Sequence, residues 1–242
     1  MQGVHFSPCS RAGSLLTVLL SVAAAPCVAA PTVAATCANI QILADQLTAR
    51  DAQAYCLYAA SERQKVEAFW GATWKETIRI HVDTSYRISR ALVPGHFGNR
   101  GFIEMPLRGV QSQNSALLHE IVHVYAPNGN RFLAEGLAVY LHQKLAGHRA
   151  FPNFGRNLDA EARGWLPRLE SLERLNDVRT PTPLGSILGE QGAYVLAGSF
   201  VGFLIEKYGL PDFRNLYETG AYNTVYARSL QALEQEWRAA LQ

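Results

Sequence analysis

His119, Glu120 and His123 stand in the run His-Glu-Ile-Val-His. A spacing of four residues is close to one helical turn, so on a helix both imidazoles share a face and reach a single metal ion. Glu120 sits one step around that helix, near enough to touch water at the metal without binding the metal itself. Zinc held in this way needs a third protein ligand and an open fourth position to do catalysis. It makes water acidic, and a carboxylate beside it takes the proton as the water attacks a carbonyl. A lone histidine on an apolar helix is more often core or surface. Two histidines and a glutamate at this spacing favour a metal site.

The third ligand decides the type of site. A metzincin arrangement requires glycine at position 126 and histidine at 129, and Ala126 and Gly129 exclude it. Glu135 follows within Phe132-Leu133-Ala134-Glu135-Gly136-Leu137-Ala138-Val139-Tyr140. A turn at Asn128-Gly129 lets the second helix fold back towards the histidines. The alternative for Glu135 is a solvated helix face. Leu133, Ala134, Leu137 and Ala138 place it in apolar company, however, where an unpaired carboxylate is costly and metal ligation removes the cost.

The elements that must position these residues can be read from periodicity. Ala38–Leu47 and Ala52–Trp70 carry a helical pattern, and Thr77–Val82 alternates as a half-buried strand does. Phe102–Leu107 reads as a second short strand with Pro106 near its end. Ser112 and Asn114 are candidate caps for the apolar helix Leu117–Tyr125. Pro127-Asn128-Gly129 breaks that helix, and Arg131–Ala146 opens the next. Gly147–Leu188 is dotted with proline and glycine, with one helix expected around Trp165–Leu175 and a lid left open as a possibility. Helices return at Ala193–Tyr208, Pro211–Thr219 and Arg228–Leu241. The expected fold class is α+β, dominated by helices, with a small sheet before the His119–His123 helix.

Hydrophobic residues make up 48% of the 242 and charged residues 17%, enough for a buried core and against disorder. The net charge is only +2 with no basic run, so nucleic acid is not an expected partner. Leu15–Ala30 is an apolar stretch ending among small residues, as secretory signals do. The expected organisation is a signal peptide or N-terminal anchor over 1–35, with cleavage after Ala35. An N-terminal helical segment over 36–75 and a metal-binding domain over 76–242 follow. Membrane contact is expected only if the N-terminal segment stays uncleaved, and the location is periplasmic or secreted. Cys37 and Cys56 then remain, and an isolated pair in an exported chain is most simply a disulfide. Their spacing matches no zinc site.

His119–His123 followed by Phe132–Tyr140 resembles the gluzincin zinc metallopeptidases, in particular the peptidase MA-like domains. The likeness runs from about Thr77 to the end of the chain. The resemblance implies a zincin-like fold and one Zn2+ per chain on His119, His123 and Glu135. It implies Glu120 as general base in peptide-bond hydrolysis. It also implies Tyr194 as a donor to the oxyanion, against an ordinary buried role, and Phe102–Leu107 as an edge strand that pairs with an extended peptide or protein substrate. Thermolysin and the larger aminopeptidases space histidine and glutamate more widely, so their specificity does not transfer. The alternatives are a non-catalytic zinc domain that binds a peptide or protein partner in the envelope, a hydrolase of another amide such as a cell-wall crosslink, and a helical scaffold with a fortuitous motif.

Overall fold

Five strands form one mixed sheet, and the sheet is built largely from the first third of the chain. The structure, a computed structural model, describes residues 31–92, 101–112, 115–146, 149–176 and 184–242. Pro31–Gln242 cluster as one compact unit. Residues 1–30 of the expected signal lie outside the described residues, as do 147–148 and 177–183 of the segment considered as a lid. The strands are β1 (Val33–Cys37), β2 (Ile40–Leu43), β3 (Ile78–Asp83), β4 (Arg90–Leu92) and β5 (Phe102–Pro106), in the order β1-β2-β3-β5-β4. β1 and β2 form an antiparallel hairpin, while β2, β3 and β5 run parallel and β4 returns antiparallel to β5.

Two expectations fail here. Ala38–Leu47 is not helical: Ala38 and Asn39 take positive φ at a tight turn, and Ile40 and Ile42 point into the core at zero exposure. That turn geometry joins the strands of a hairpin, and the side chains alternate in and out as in any strand. Residues 36–75 therefore supply the end of β1, all of β2 and one helix to the common fold, since Ile40 pairs with Ile78 of β3. The second failure concerns Phe102–Leu107. Phe102–Glu104 is paired on both sides, with β3 and with β4, so most of the strand is not an edge. The short β4 covers its outer side, locked by a cross-strand ion pair between Arg90 and Glu104. Among the described residues, β1 and β4 carry the free edges.

Helix α1 (Ala49–Trp70) crosses between β2 and β3, capped by Thr48, whose hydroxyl accepts from the Asp51 amide at 3.1 Å. The cysteine expectation holds: Cys37 and Cys56 form a disulfide, which ties β1 to α1. After β5 come α2 (Leu107–Gln111), α3 (Leu117–Tyr125), α4 (Arg131–Leu141) and α5 (Leu158–Trp165), then α6 (Gly189–Tyr208), α7 (Leu210–Thr219), α8 (Tyr222–Tyr226) and α9 (Leu230–Ala240). A π-helical turn, His142–Ala146, extends α4. The helix expected around Trp165–Leu175 lies earlier, as α5, because Asn157 caps it and Pro167 falls just beyond its end. Ser112 does not cap α3; its hydroxyl donates to the Arg108 carbonyl at 2.8 Å and closes α2, while Asn114 lies outside the described residues. No helix among the described residues is long and apolar enough to cross a membrane.

The fold class is α+β, and one close helix contact sets the site. A Cβ on Gly136 of α4 would lie 2.6 Å from Val201 Cγ2 and 2.7 Å from the Ala197 carbonyl oxygen of α6. Only glycine permits that approach, and it brings the helix of Glu135 against the helix of Tyr194.

Candidate metal centre

Helix α3 is buried on nearly every side. Leu117, Leu118 and Ile121 have zero exposure, and each such side chain contributes roughly 1.5–3 kcal/mol by leaving water. That burial fixes the rotation of the helix, and the rotation aims His119 and His123 at one point. Their rings meet edge to face with centroids 4.8 Å apart.

The chain then turns, and the turn is held by side chains. Asn128 Oδ1 accepts from the Asn130 amide at 2.7 Å, and its Nδ2 donates to the Tyr217 carbonyl on α7. Tyr217 in turn donates its hydroxyl to the Ala126 carbonyl at 2.7 Å, closing the end of α3. Asn130 caps α4 through the Leu133 amide and bonds Asn176 at 2.9 Å. Because both helix ends are tied in this way, α4 leaves at an angle that returns Glu135 to the histidines.

Three donor atoms converge there. His119 Nε2 lies 3.1 Å from His123 Nε2 and 3.1 Å from Glu135 Oε2, and His123 Nε2 lies 3.3 Å from the same oxygen. With metal–ligand bonds of about 2.0–2.1 Å, neighbouring ligand atoms of a tetrahedral zinc stand roughly 3.3 Å apart. The triangle therefore fits a metal ion of that size. His119 Nδ1 is buried without a hydrogen-bond partner, so the ring offers its other nitrogen to the cluster. His119, His123 and Glu135 are the group among the described residues that could hold a metal ion. Burial works against the charge on Glu135, but the hydrogen bonds and charge of His119 and His123 outweigh it and hold the carboxyl well below its usual range. Burial likewise works against protonation of His123, yet hydrogen bonding and charge from Glu135 raise its pKa. Paired imidazoles and a carboxylate, kept together in an apolar setting, suit a borderline divalent cation.

Glu120 stays outside the triangle, as its place on the helix predicts. It is buried, and its Oε2 accepts from the Ala91 amide of β4 at 2.8 Å. Tyr194 does reach the site: its ring stacks on His119 at 6.5 Å between centroids. Burial first, then the negative charge of Glu135, raises the Tyr194 pKa, so its hydroxyl keeps its proton.

Arg131, which the sequence does not single out, joins the site. One of its guanidinium nitrogens donates to Glu135 Oε1 at 3.3 Å and to the Tyr194 hydroxyl at 2.9 Å. The Arg131/Glu135 spacing of four on a helix is a readable signal for the first contact; nothing local announces the second. The Ala91 amide carries no signal at all, since backbone groups look alike in a sequence. His81 takes a separate role, with Nδ1 2.7 Å from the Tyr86 hydroxyl, and His142 is buried in the π turn. His96 and His148 lie outside the described residues. Comparison of the chain with family models, with curated proteins and with solved structures returns no match, which leaves the chemistry of the site to be argued from its own geometry.

Proposed function

We propose that this chain is an exported, gluzincin-type zinc metallopeptidase, hydrolysing peptide bonds at a zinc ion held by His119, His123 and Glu135. The observation that carries the reading is the triangle of Nε2, Nε2 and Oε2 atoms, 3.1–3.3 Å on a side, with Glu120 beside it rather than in it. Zinc in that place supplies a Lewis acid for a carbonyl oxygen and for water. Glu120 takes a proton from the attacking water as the new C–O bond forms, and passes it to the amine nitrogen as the C–N bond breaks. The Ala91 amide steadies one oxygen of that carboxylate while the other works. Tyr194 receives a hydrogen bond from Arg131, and its own hydrogen, shared with Glu135, would turn to the developing oxyanion. Export is supported by the Cys37–Cys56 disulfide, since such bonds persist in oxidising compartments.

The Glu120–Ala91 bond also favours a second reading, a zinc domain that binds a peptide without cutting it, in which Glu120 only fastens β4 to α3. One experiment separates the two. Metal content and peptide hydrolysis are measured for the wild type, Glu120→Gln and Glu135→Ala. The peptidase reading expects about one zinc per wild-type chain and poor retention in Glu135→Ala. It expects zinc retained in Glu120→Gln with hydrolysis reduced about 10²–10⁴-fold. Hydrolysis unchanged in zinc-loaded Glu120→Gln sinks the mechanism, and zinc without hydrolysis in the wild type leaves the binding reading.

A further inference from the structure

Two phenylalanines stand in solvent beside this site, and the chain goes out of its way to keep them there. Phe151 is 38% exposed and Phe154 48% exposed. The Phe151 ring packs against Tyr194 at 5.6 Å between centroids and against Phe154 at 6.1 Å. With the Tyr194–His119 stack, a continuous row of rings runs from a metal ligand to the surface. Phe154 has φ +52°, a left-handed conformation that is a genuine outlier for so bulky a residue. Such strain persists where surrounding contacts over-determine it, and it concentrates at functional positions.

Those contacts are visible. The Phe154 amide donates to the Ala150 carbonyl at 2.8 Å, and the Arg156 amide to the Asn153 carbonyl at 2.9 Å. Asn153 is buried between the two phenylalanines in sequence, and its Nδ2 donates to Gln143 Oε1 at 2.8 Å. Gln191 Nε2 donates to the Pro152 carbonyl at 3.0 Å. Gln143 belongs to the extension of α4 and Gln191 to the first turn of α6. The loop is thus fastened to the same two helices that carry Glu135 and Tyr194, and both rings hold a fixed place relative to the metal centre.

We propose that Phe151 and Phe154 form an apolar subsite that receives a large aliphatic or aromatic side chain of the substrate next to the bond being cut. The inference rests on the peptidase reading and narrows its substrates to peptides with such a residue. Exposed aromatic rings packed edge to face beside a polar reacting centre give up water to an apolar side chain readily and to a charged one at a loss.

The test uses zinc-loaded Glu120→Gln protein, which holds peptides without consuming them. Dissociation constants are measured by calorimetry for capped tetrapeptides that differ in one residue, Phe, Leu, Ser, Asp or Lys. The Phe and Leu peptides are expected to bind at least about tenfold tighter than the Ser and Asp peptides, as one well-buried apolar side chain allows. Phe151→Ser and Phe154→Asn should each shrink that difference with zinc content unchanged. Asparagine tolerates the left-handed backbone, so the second variant keeps the loop folded. Phe151→Leu should restore most of it. Equal affinities across the series, no binding of any peptide, a difference that survives both variants, or the pair serving instead to dimerise the chain would each overturn the subsite. Parallel assays with active wild type keep the two ideas apart. Hydrolysis without apolar preference removes the subsite and leaves the peptidase. Apolar binding without hydrolysis keeps an apolar binding site but removes the peptidase, and with it the placement beside a bond being cut.

Discussion

Arg131 is the residue whose place says most about how the site is kept in order. Its guanidinium touches Glu135 Oε1 and the Tyr194 hydroxyl together, so it ties the carboxylate proposed as a ligand to the hydroxyl proposed as an oxyanion donor. Outer partners of this sort orient the ligands, and their loss typically costs 10–100-fold in metal affinity or activity. Arg131→Met is expected to lower zinc affinity by about tenfold or more, read by competition with a chelator. Tyr194→Phe keeps the Arg131–Glu135 contact and should leave zinc affinity alone while slowing peptide hydrolysis about 10²–10³-fold. A Tyr194→Phe enzyme as fast as wild type removes Tyr194 from the chemistry. An Arg131→Met chain that holds zinc as tightly as wild type reduces Arg131 to a surface pair.

At the scale of elements, the contact between α4 and α6 does what no single ligand can. Gly136 lies next to Glu135, and a methyl group there meets Val201 and the Ala197 carbonyl at distances real Cβ atoms do not show. Gly136→Ala should cost about 1–3 kcal/mol by overpacking, seen in urea unfolding, and weaken zinc binding as the helices part. A substitution without effect on either quantity means the two helices have slack that the packing does not suggest. Much of this architecture was legible beforehand, because α3, α6 and α7 are long periodic runs whose breaks are marked by Pro127, Gly209 and Gly220. The pairing of His119 and His123 with Glu135 was legible for the same reason, helix period plus an apolar setting. β1 and β2 were not. Ile40-Gln41-Ile42-Leu43 is too short to separate the two periods, and its partner β3 lies far along the chain. β4 is three residues long, so nothing in the sequence shows that it covers β5. The hairpin also shifts where the fold begins. Val33–Ala35 are part of β1, and the Ala44 amide donates to the Thr32 carbonyl at 3.1 Å. A chain starting at Thr36, the expected cleavage product, should melt below one starting at Pro31; equal midpoints mean Val33–Ala35 add nothing.

Over the whole molecule, the disulfide and the charge clusters hold opposite ends of the chain to the central helices. The disulfide anchors β1 to α1, and closing a loop of that length contributes on the order of 3 kcal/mol. At the other end, α9 is fixed at several points, Glu234 and Arg238 to the Leu172 amide and the Leu169 carbonyl among them. Inside, the Trp237 indole donates to Ser199 Oγ at 3.0 Å, and that hydroxyl donates to the carboxylate of Asp159 at 2.6 Å, joining α9, α6 and α5. Outside, Glu236 accepts from Lys207 Nζ at 2.7 Å, from Tyr208 and from Arg228 Nε at 2.6 Å. Hydrogen bonds from Lys207, Tyr208 and Arg228, in that order, lower its pKa from 4.5 to about 2. A folded-state pKa below the unfolded one means the charged form is what stabilises the fold. The contribution is complete above about pH 4.5 and fades as pH falls through about 2. Glu236→Gln should therefore be less stable than wild type near neutral pH, and the two unfolding curves should converge as the pH is lowered from about 4.5 towards 2. Because the cluster is partly exposed, about 1 M salt should narrow the neutral-pH gap as well. A gap constant from pH 7 down to about 2 means the side chain acts through packing, and the attachment of α9 then rests on its other contacts, Trp237 with Ser199, Glu234 with the Leu172 amide and Arg238 with the Leu169 carbonyl.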